Sequence, residues 1–272
     1  MQRIIKFPLL YFIIATLFLV NTANANNDFP ARQQYPNVAY ITLNDLYDLY
    51  KKKGDVILID TRSDYEYATL HIKGAINIPL SDLEFSKKVR QLYDDKKKFI
   101  VFYCNGRSCT KSYEAVIKAK RFAKITDAVA FDGGVTDWVR RYPEHSVLLG
   151  HSPVDPANLI SNDEFSKHLL KPAAFLEKAD KNCIILDVRD GTQRQEHIFA
   201  GYEHSVSLNK DQQHILNKYI DQAINEKKTL CIYDAVGKQV EWLQYHLKAK
   251  KVRDYYFMEG GIKAYDDRPK EE

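Results

Sequence analysis

The chain has 272 residues, 45% of them hydrophobic and 28% charged, with 11 Gly, 9 Pro and 4 Cys. That apolar fraction excludes wholesale disorder and a collagen-like chain, and four cysteines are too few for a disulfide scaffold. A formal charge of +4, spread thinly, argues against nucleic acid or a membrane surface as the partner.

The first elements in chain order belong to a targeting pattern. Arg3 and Lys6 carry the only charges in the first 25 residues, Phe7 to Val20 is apolar apart from Thr16, and Asn21-Thr-Ala23-Asn-Ala25 follows. A basic start, a short apolar run and small residues at the cleavage positions predict a secretory signal peptide over residues 1–25, cut after Ala25. The expected location is then the periplasm, with no membrane attachment after cleavage. The competing reading is an uncleaved anchor, against which stands the run's 14 residues, where about 20 span a bilayer.

From residue 41 the chain repeats itself. Ile41-Thr-Leu-Asn-Asp45 and Ile160-Ser-Asn-Asp-Glu164 each set a Thr or Ser three residues before an acid. Both predict capped amphipathic helices, carrying Leu46, Tyr47, Leu49 and Tyr50 in the first and Phe165, Leu169 and Leu170 in the second. Next come two buried-strand runs ending in an acid, Val56-Ile-Leu-Ile-Asp60-Thr-Arg62 and Cys183-Ile-Ile-Leu-Asp187-Val-Arg189. His71-Ile-Lys-Gly74 pairs with His197-Ile-Phe-Ala-Gly201, Phe99–Tyr103 with Thr229–Tyr233, and Phe131-Asp-Gly133-Gly134 with Met258-Glu-Gly260-Gly261. An offset held close to one value across these features means a duplicated domain. Strands alternating with helical patterns make each copy an α/β unit with a mostly parallel sheet. The non-periodic stretch Gly150-His-Ser-Pro153-Val-Asp-Pro156 divides a first domain, 26–152, from a second, 153–272. The lysine clusters 51–53 and 96–98 read as solvated loop ends.

The chemistry concentrates in Tyr103-Cys104-Asn-Gly106-Arg107-Ser-Cys109-Thr110-Lys111, between the strand Phe99–Tyr103 and a helical stretch expected over Lys111 to Lys120. A strand–loop–helix with Gly in the loop turns backbone N–H groups toward one centre, and the helix start adds partial positive charge. An anion binds there and a thiol loses its proton more readily, so Cys104 is the candidate reactive thiolate, with Arg107 adding a full charge. The plain alternative is an inert buried thiol.

The first half resembles a rhodanese (sulfurtransferase) domain. The resemblance rests on Asp60-Thr-Arg62, Glu66-Tyr67, His71-Ile-Lys-Gly74-Ala75-Ile-Asn77-Ile-Pro79, the Cys104 loop and Gly133-Gly134-Val-Thr-Asp-Trp138, in order over nearly all of 38–142. Leu70 stands where the family usually has Gly. The resemblance implies two rhodanese-like domains, each a mostly parallel five-stranded sheet flanked by helices. It further implies that Cys104 takes the outer sulfur of thiosulfate or a similar donor as a persulfide, then passes it to a thiophilic acceptor such as a protein thiol. Asn105, Gly106, Arg107, Ser108, Cys109 and Thr110 would form the substrate cradle. Asp60 and Arg62 would organise the site, unless they are simply a structural ion pair, and His71 reads as structural. Cysteine phosphatases and arsenate reductases share the architecture but need His before the Cys and Arg six positions after it. Tyr103 and Thr110 stand there, which argues against that chemistry.

The second half keeps the framework but places Asp234 where the nucleophile belongs, and Tyr265 for the Trp. It is expected to be catalytically silent. Cys109 has three readings: a small residue lining the cradle, a resolving thiol that captures Cys104 in a disulfide, or half of a dedicated redox couple. The last would make the protein a thiol redox or sensor module without sulfur-transfer turnover. A third class is a binding protein whose second domain does the recognising. Cys183 and Cys231 are expected as unpaired thiols in strands. No cofactor is called for, and the eight histidines show no metal-ligand spacing.

Overall fold

A computed structural model describes residues 28–52, 56–96, 98–179 and 182–267. The signal-peptide expectation falls on residues 1–25, outside that range. The described strands are β1 (Val56–Asp60), β2 (Leu70–Ile72), β3 (Ile76–Asn77), β4 (Phe99–Tyr103), β5 (Val129–Phe131), β6 (Ser146–Leu148), β7 (Leu169–Leu170), β8 (Cys183–Asp187), β9 (Glu203–Ser205), β10 (Thr229–Tyr233) and β11 (Tyr255–Met258). The chain divides into two compact units: residues through Arg62 with Gly74–Arg141, and Ser63–Lys73 with Tyr142 onward. No helix among the described residues is long and apolar enough to cross a membrane.

The first unit holds a parallel sheet in the order β3-β1-β4-β5. Its strands are apolar apart from Asp60 and Asn77, which end β1 and β3, because both faces are covered. Ile57, Ile59, Ile100 and Phe102 pack with Phe85, Val89, Tyr113 and Val116, while the alternating Leu58, Val101 and Tyr103 are buried as well. Four strands form here where five were expected. At the open edge Tyr40 makes a single parallel bridge to Ala130, and Thr42 then caps the helix Leu43–Lys51 by accepting from the Asp45 N–H. With the helix starting three residues after the bridge, no strand lengthens beyond it. The helix after the Cys104 loop runs Lys111–Lys118 and continues as a π-helical turn, Ala119–Ala123, ending on left-handed Lys124.

The second unit has a parallel sheet in the order β7-β11-β10-β8-β9, and β2 pairs with β6 as an antiparallel ribbon. The sheet corrects one part of the repeat. Tyr40 followed by the helix Leu43–Lys51 occupies the place of β7 followed by the helix Pro172–Lys178. Thr42 therefore corresponds to Lys171, and Ile41 to Leu170 rather than to Ile160. The helix expected to carry Phe165, Leu169 and Leu170 stops at Ser166, and the two leucines pair with Phe257 and Met258 in β7. Pro172 holds Lys171 extended, which favours the strand over a continued helix.

Each unit contains one of the two tryptophans, Trp138 and Trp242. In a Trp242→Phe background, Trp138 fluorescence during denaturant unfolding reports the first unit. Phe102→Ala, at a fully buried position, is expected to cost about 3–5 kcal/mol. Phe122→Ala, at a side chain 60% exposed, should stay within about 0.5 kcal/mol.

Candidate active site

Register sets the site. Asp60 pairs with Tyr103, and Tyr103 with Phe131, so β1, β4 and β5 end level. The residues that follow them, Arg62, Cys104 and Gly133–Gly134, meet at the carboxyl edge of the sheet, where open α/β sheets place their ligands. The Thr61 N–H and hydroxyl both donate to the Tyr103 carbonyl, at 3.0 and 2.9 Å, tying the two strand ends together.

The loop is held from two sides. From one, the Val135 and Thr136 N–H groups donate to the Cys104 and Asn105 carbonyls at 2.9 and 3.1 Å, and the Thr136 hydroxyl adds a 2.7 Å bond to Asn105. This approach requires Gly134, whose φ is +58° and whose missing Cβ would lie 2.5 Å from the Cys104 oxygen and the Gly106 nitrogen. From the other side comes Arg62, fully buried. Its Nε and Nη2 bind Asp60 at 2.9 and 2.6 Å, and its Nη1 donates to Asn105 Oδ1 at 3.2 Å. Asp60 and Arg62 are thus both an ion pair and a support for the loop.

Within the loop, Cys104 is fully buried and Cys109 half-buried, and the two are joined as a disulfide with their Cα atoms 6.5 Å apart. The Cys109 N–H turns back onto the Gly106 carbonyl at 2.9 Å. Arg107 is half-exposed. Its Nε donates to Asp137 at 2.8 Å and its Nη1 lies 3.8 Å from Asp28, so carboxylates meet its charge. Thr110 donates its hydroxyl to Glu114 at 2.6 Å, and Ser108 is exposed. His71 lies in β2 of the other unit, with Nδ1 2.7 Å from the Tyr67 carbonyl and its ring stacked on Tyr67.

Sequence reasoning passed over the support beneath Gly133. Asp132 is buried, receives Arg32 at 2.8 Å and accepts from the Tyr113 hydroxyl at 2.6 Å. Burial and this bond push the Tyr113 phenol well above its ordinary pKa, so it remains a donor. The sign of this was an acid just before a Gly-Gly pair, which the repeat shows as Glu259 in the other copy.

In the second unit the same frame surrounds a different occupant. Gly261, at φ +62°, lets Ile262 and Lys263 donate to the Asp234 and Ala235 carbonyls. The Asp234 carboxylate accepts from the N–H groups of Val236 at 3.0 Å, Gln239 at 2.5 Å, Val240 at 3.2 Å and also Gly237. An internal anion therefore fills the ring of donors. Arg189 pairs with Asp187 as Arg62 does with Asp60, but its remaining donors go to the Gln193 and Glu196 carbonyls. Ala235 offers no side-chain acceptor where Asn105 does.

Two further groups bear on the sequence reading. Cys183 and Cys231 are thiols with sulfurs 3.1 Å apart, and burial raises the Cys231 pKa. The fold also gathers Asp187, His197 and Glu203, which no spacing had announced, with ligand atoms within 4.8 Å of one another. Asp187 already faces Arg189 and Arg194, and Glu203 accepts from the Tyr233 hydroxyl, so neighbouring donors balance this cluster.

The family called rhodanese-like domain matches residues 42–141 and again 171–268. This chain belongs to the rhodanese family. The second match starts beside Pro172, in agreement with the sheet-based alignment of the copies. A tRNA uridine(34) hydroxylase of Enterobacter is 30% identical over 95 residues, 34% of this chain and 26% of that protein. The transcriptional regulator Rv0324 of Mycobacterium tuberculosis is 34% identical over 88 residues, 32% of this chain and 36% of the regulator. The chain thus spans about a third or less of these relatives. A thiosulfate sulfurtransferase of Pseudomonas aeruginosa aligns structurally over 84% of this chain and 42% of its own, at 17% identity and a TM-score of 0.36.

Arg62→Ala would leave the rhodanese Asp60 carboxylate buried and unpaired. It is expected to destabilise the first unit by about 3–5 kcal/mol, read from Trp138 unfolding. Asp234→Ala strips the acceptor from buried N–H groups of the second unit and should cost about 1.5–3 kcal/mol, read from Trp242 with Trp138 replaced by Phe.

Proposed function

We propose that this rhodanese is a sulfurtransferase in which the Cys104 thiolate attacks the outer sulfur of thiosulfate or a similar donor. The donor's S–S bond breaks, sulfite leaves with the electron pair, and Cys104 holds the sulfur as a persulfide. An acceptor thiolate or cyanide then attacks that outer sulfur, and the Cys104 thiolate departs. The observation that carries the reading is the place of Cys104: at the end of β4, in a Gly134-clamped loop that opens a helix, inside a rhodanese domain. The second unit supports the anion-holding role of such a loop, because its donors enclose the Asp234 carboxylate. By chain position the Gly106, Arg107 and Thr110 N–H groups of the first loop take that role toward the terminal sulfur. Asp60 and Arg62 position the loop through Asn105 and do not react.

The Cys104–Cys109 disulfide favours a second reading, a thiol redox or sensor module without sulfur turnover. We also propose export to the periplasm, on the Met1–Ala25 pattern alone.

Both readings meet one experiment. The pre-reduced chain is assayed for sulfur transfer from thiosulfate to cyanide, with the intact mass of its Cys109→Ser variant recorded after donor alone. A gain of about 32 Da on Cys104, lost together with turnover in Cys104→Ser, is the expected result. Absence of any sulfur adduct in Cys109→Ser and of any transfer to cyanide, with a disulfide that forms reversibly in the unaltered chain, would remove the transferase and leave the redox module.

A further inference from the structure

We infer that Cys109 resolves the Cys104 persulfide, so that the first unit reduces sulfane sulfur to hydrogen sulfide and closes the Cys104–Cys109 disulfide in the same step. This rests on the persulfide reading above and adds an outlet for the sulfur that needs no acceptor molecule. The Cys109 thiol attacks the inner sulfur, Sγ of Cys104. The Cys104 Sγ–S bond breaks, its electron pair leaves with the terminal sulfur, and the Cys109 proton accompanies it, giving hydrogen sulfide. The two cysteines lose two electrons and the sulfane sulfur gains them.

The geometry provides for this. The Cα atoms stand 6.5 Å apart, within the span of a disulfide, and the Cys109 N–H turns back onto the Gly106 carbonyl at 2.9 Å, folding the loop so that Cys109 meets Cys104. Burial separates the two roles. Cys104 is enclosed, whereas Cys109 is half-exposed, so a small or protein-borne dithiol reductant reaches Cys109 first and returns Cys104 as the leaving thiolate. The second unit loses both functions together: Asp234 stands for Cys104, and Gln239, by chain position, for Cys109.

The test is a single turnover without oxygen or free thiol. Reduced full-length chain receives one equivalent of thiosulfate, and sulfide is measured alongside intact mass and peptide mapping. The expected result is about one sulfide per chain and a Cys104–Cys109 disulfide. Cys109→Ser is expected to keep the persulfide and to lower sulfide at least tenfold. If the unaltered chain retains its persulfide and releases no more sulfide than Cys109→Ser, the resolving role is overturned while the persulfide stands. If neither protein takes up sulfur, both readings fall.

Discussion

The approach of Gly134 to the Cys104 loop is the contact on which the rest depends. A chain segment crosses there close enough that its N–H groups bond the carbonyls of Cys104 and Asn105, and any side chain at Gly134 would overlap backbone. The loop is consequently anchored through its main chain here, with the Asn105 side chain held by Arg62 as a second support. That is why it tolerates Cys, Asn, Arg and Ser at its exposed and reactive positions, and why the second unit can carry Asp-Ala-Val-Gly in the same frame.

Beneath this contact lie two buried charge clusters, one on each flank. The Asp60–Arg62 pair lies at the end of β1, and its spare donor ends on Asn105. The Arg32–Asp132–Tyr113 set lies at the end of β5 and ties the segment entering Gly133 to the helix that leaves the loop. Each cluster is desolvated and mutually satisfied, so removing one member leaves an unpaired charge and costs more than the intact pair contributes. Positioning at this site is therefore coupled to the stability of the sheet edge.

The two units hold one frame around different loop residues. In the second, the Asp234 carboxylate occupies the backbone donors and satisfies the loop from within. In the first, the same place holds Cys104, and a further cysteine, Cys109, lies within bonding reach. What the frame surrounds, a carboxylate or a sulfur, is therefore set by the loop residues and not by the sheet.

Much of this was legible in the chain itself. Apolar runs ending in Asp60 and Asp187, the paired Gly-Gly steps and the constant offset between copies determined two α/β units. Cys104 and Asp234 marked the loop position at which the two copies differ. These features are local, set by strand burial and by turns that only glycine enters. Their partners are not local. The single bridge at Tyr40, the β7 strand formed by Leu169 and Leu170, the pairing of Arg107 with Asp137 and the balanced Asp187–His197–Glu203 cluster all depend on strand register and on residues distant in the chain. Spacing shows which residues share a strand or a turn. Only the packed sheet decides which of them touch, because register brings together residues that no local period relates.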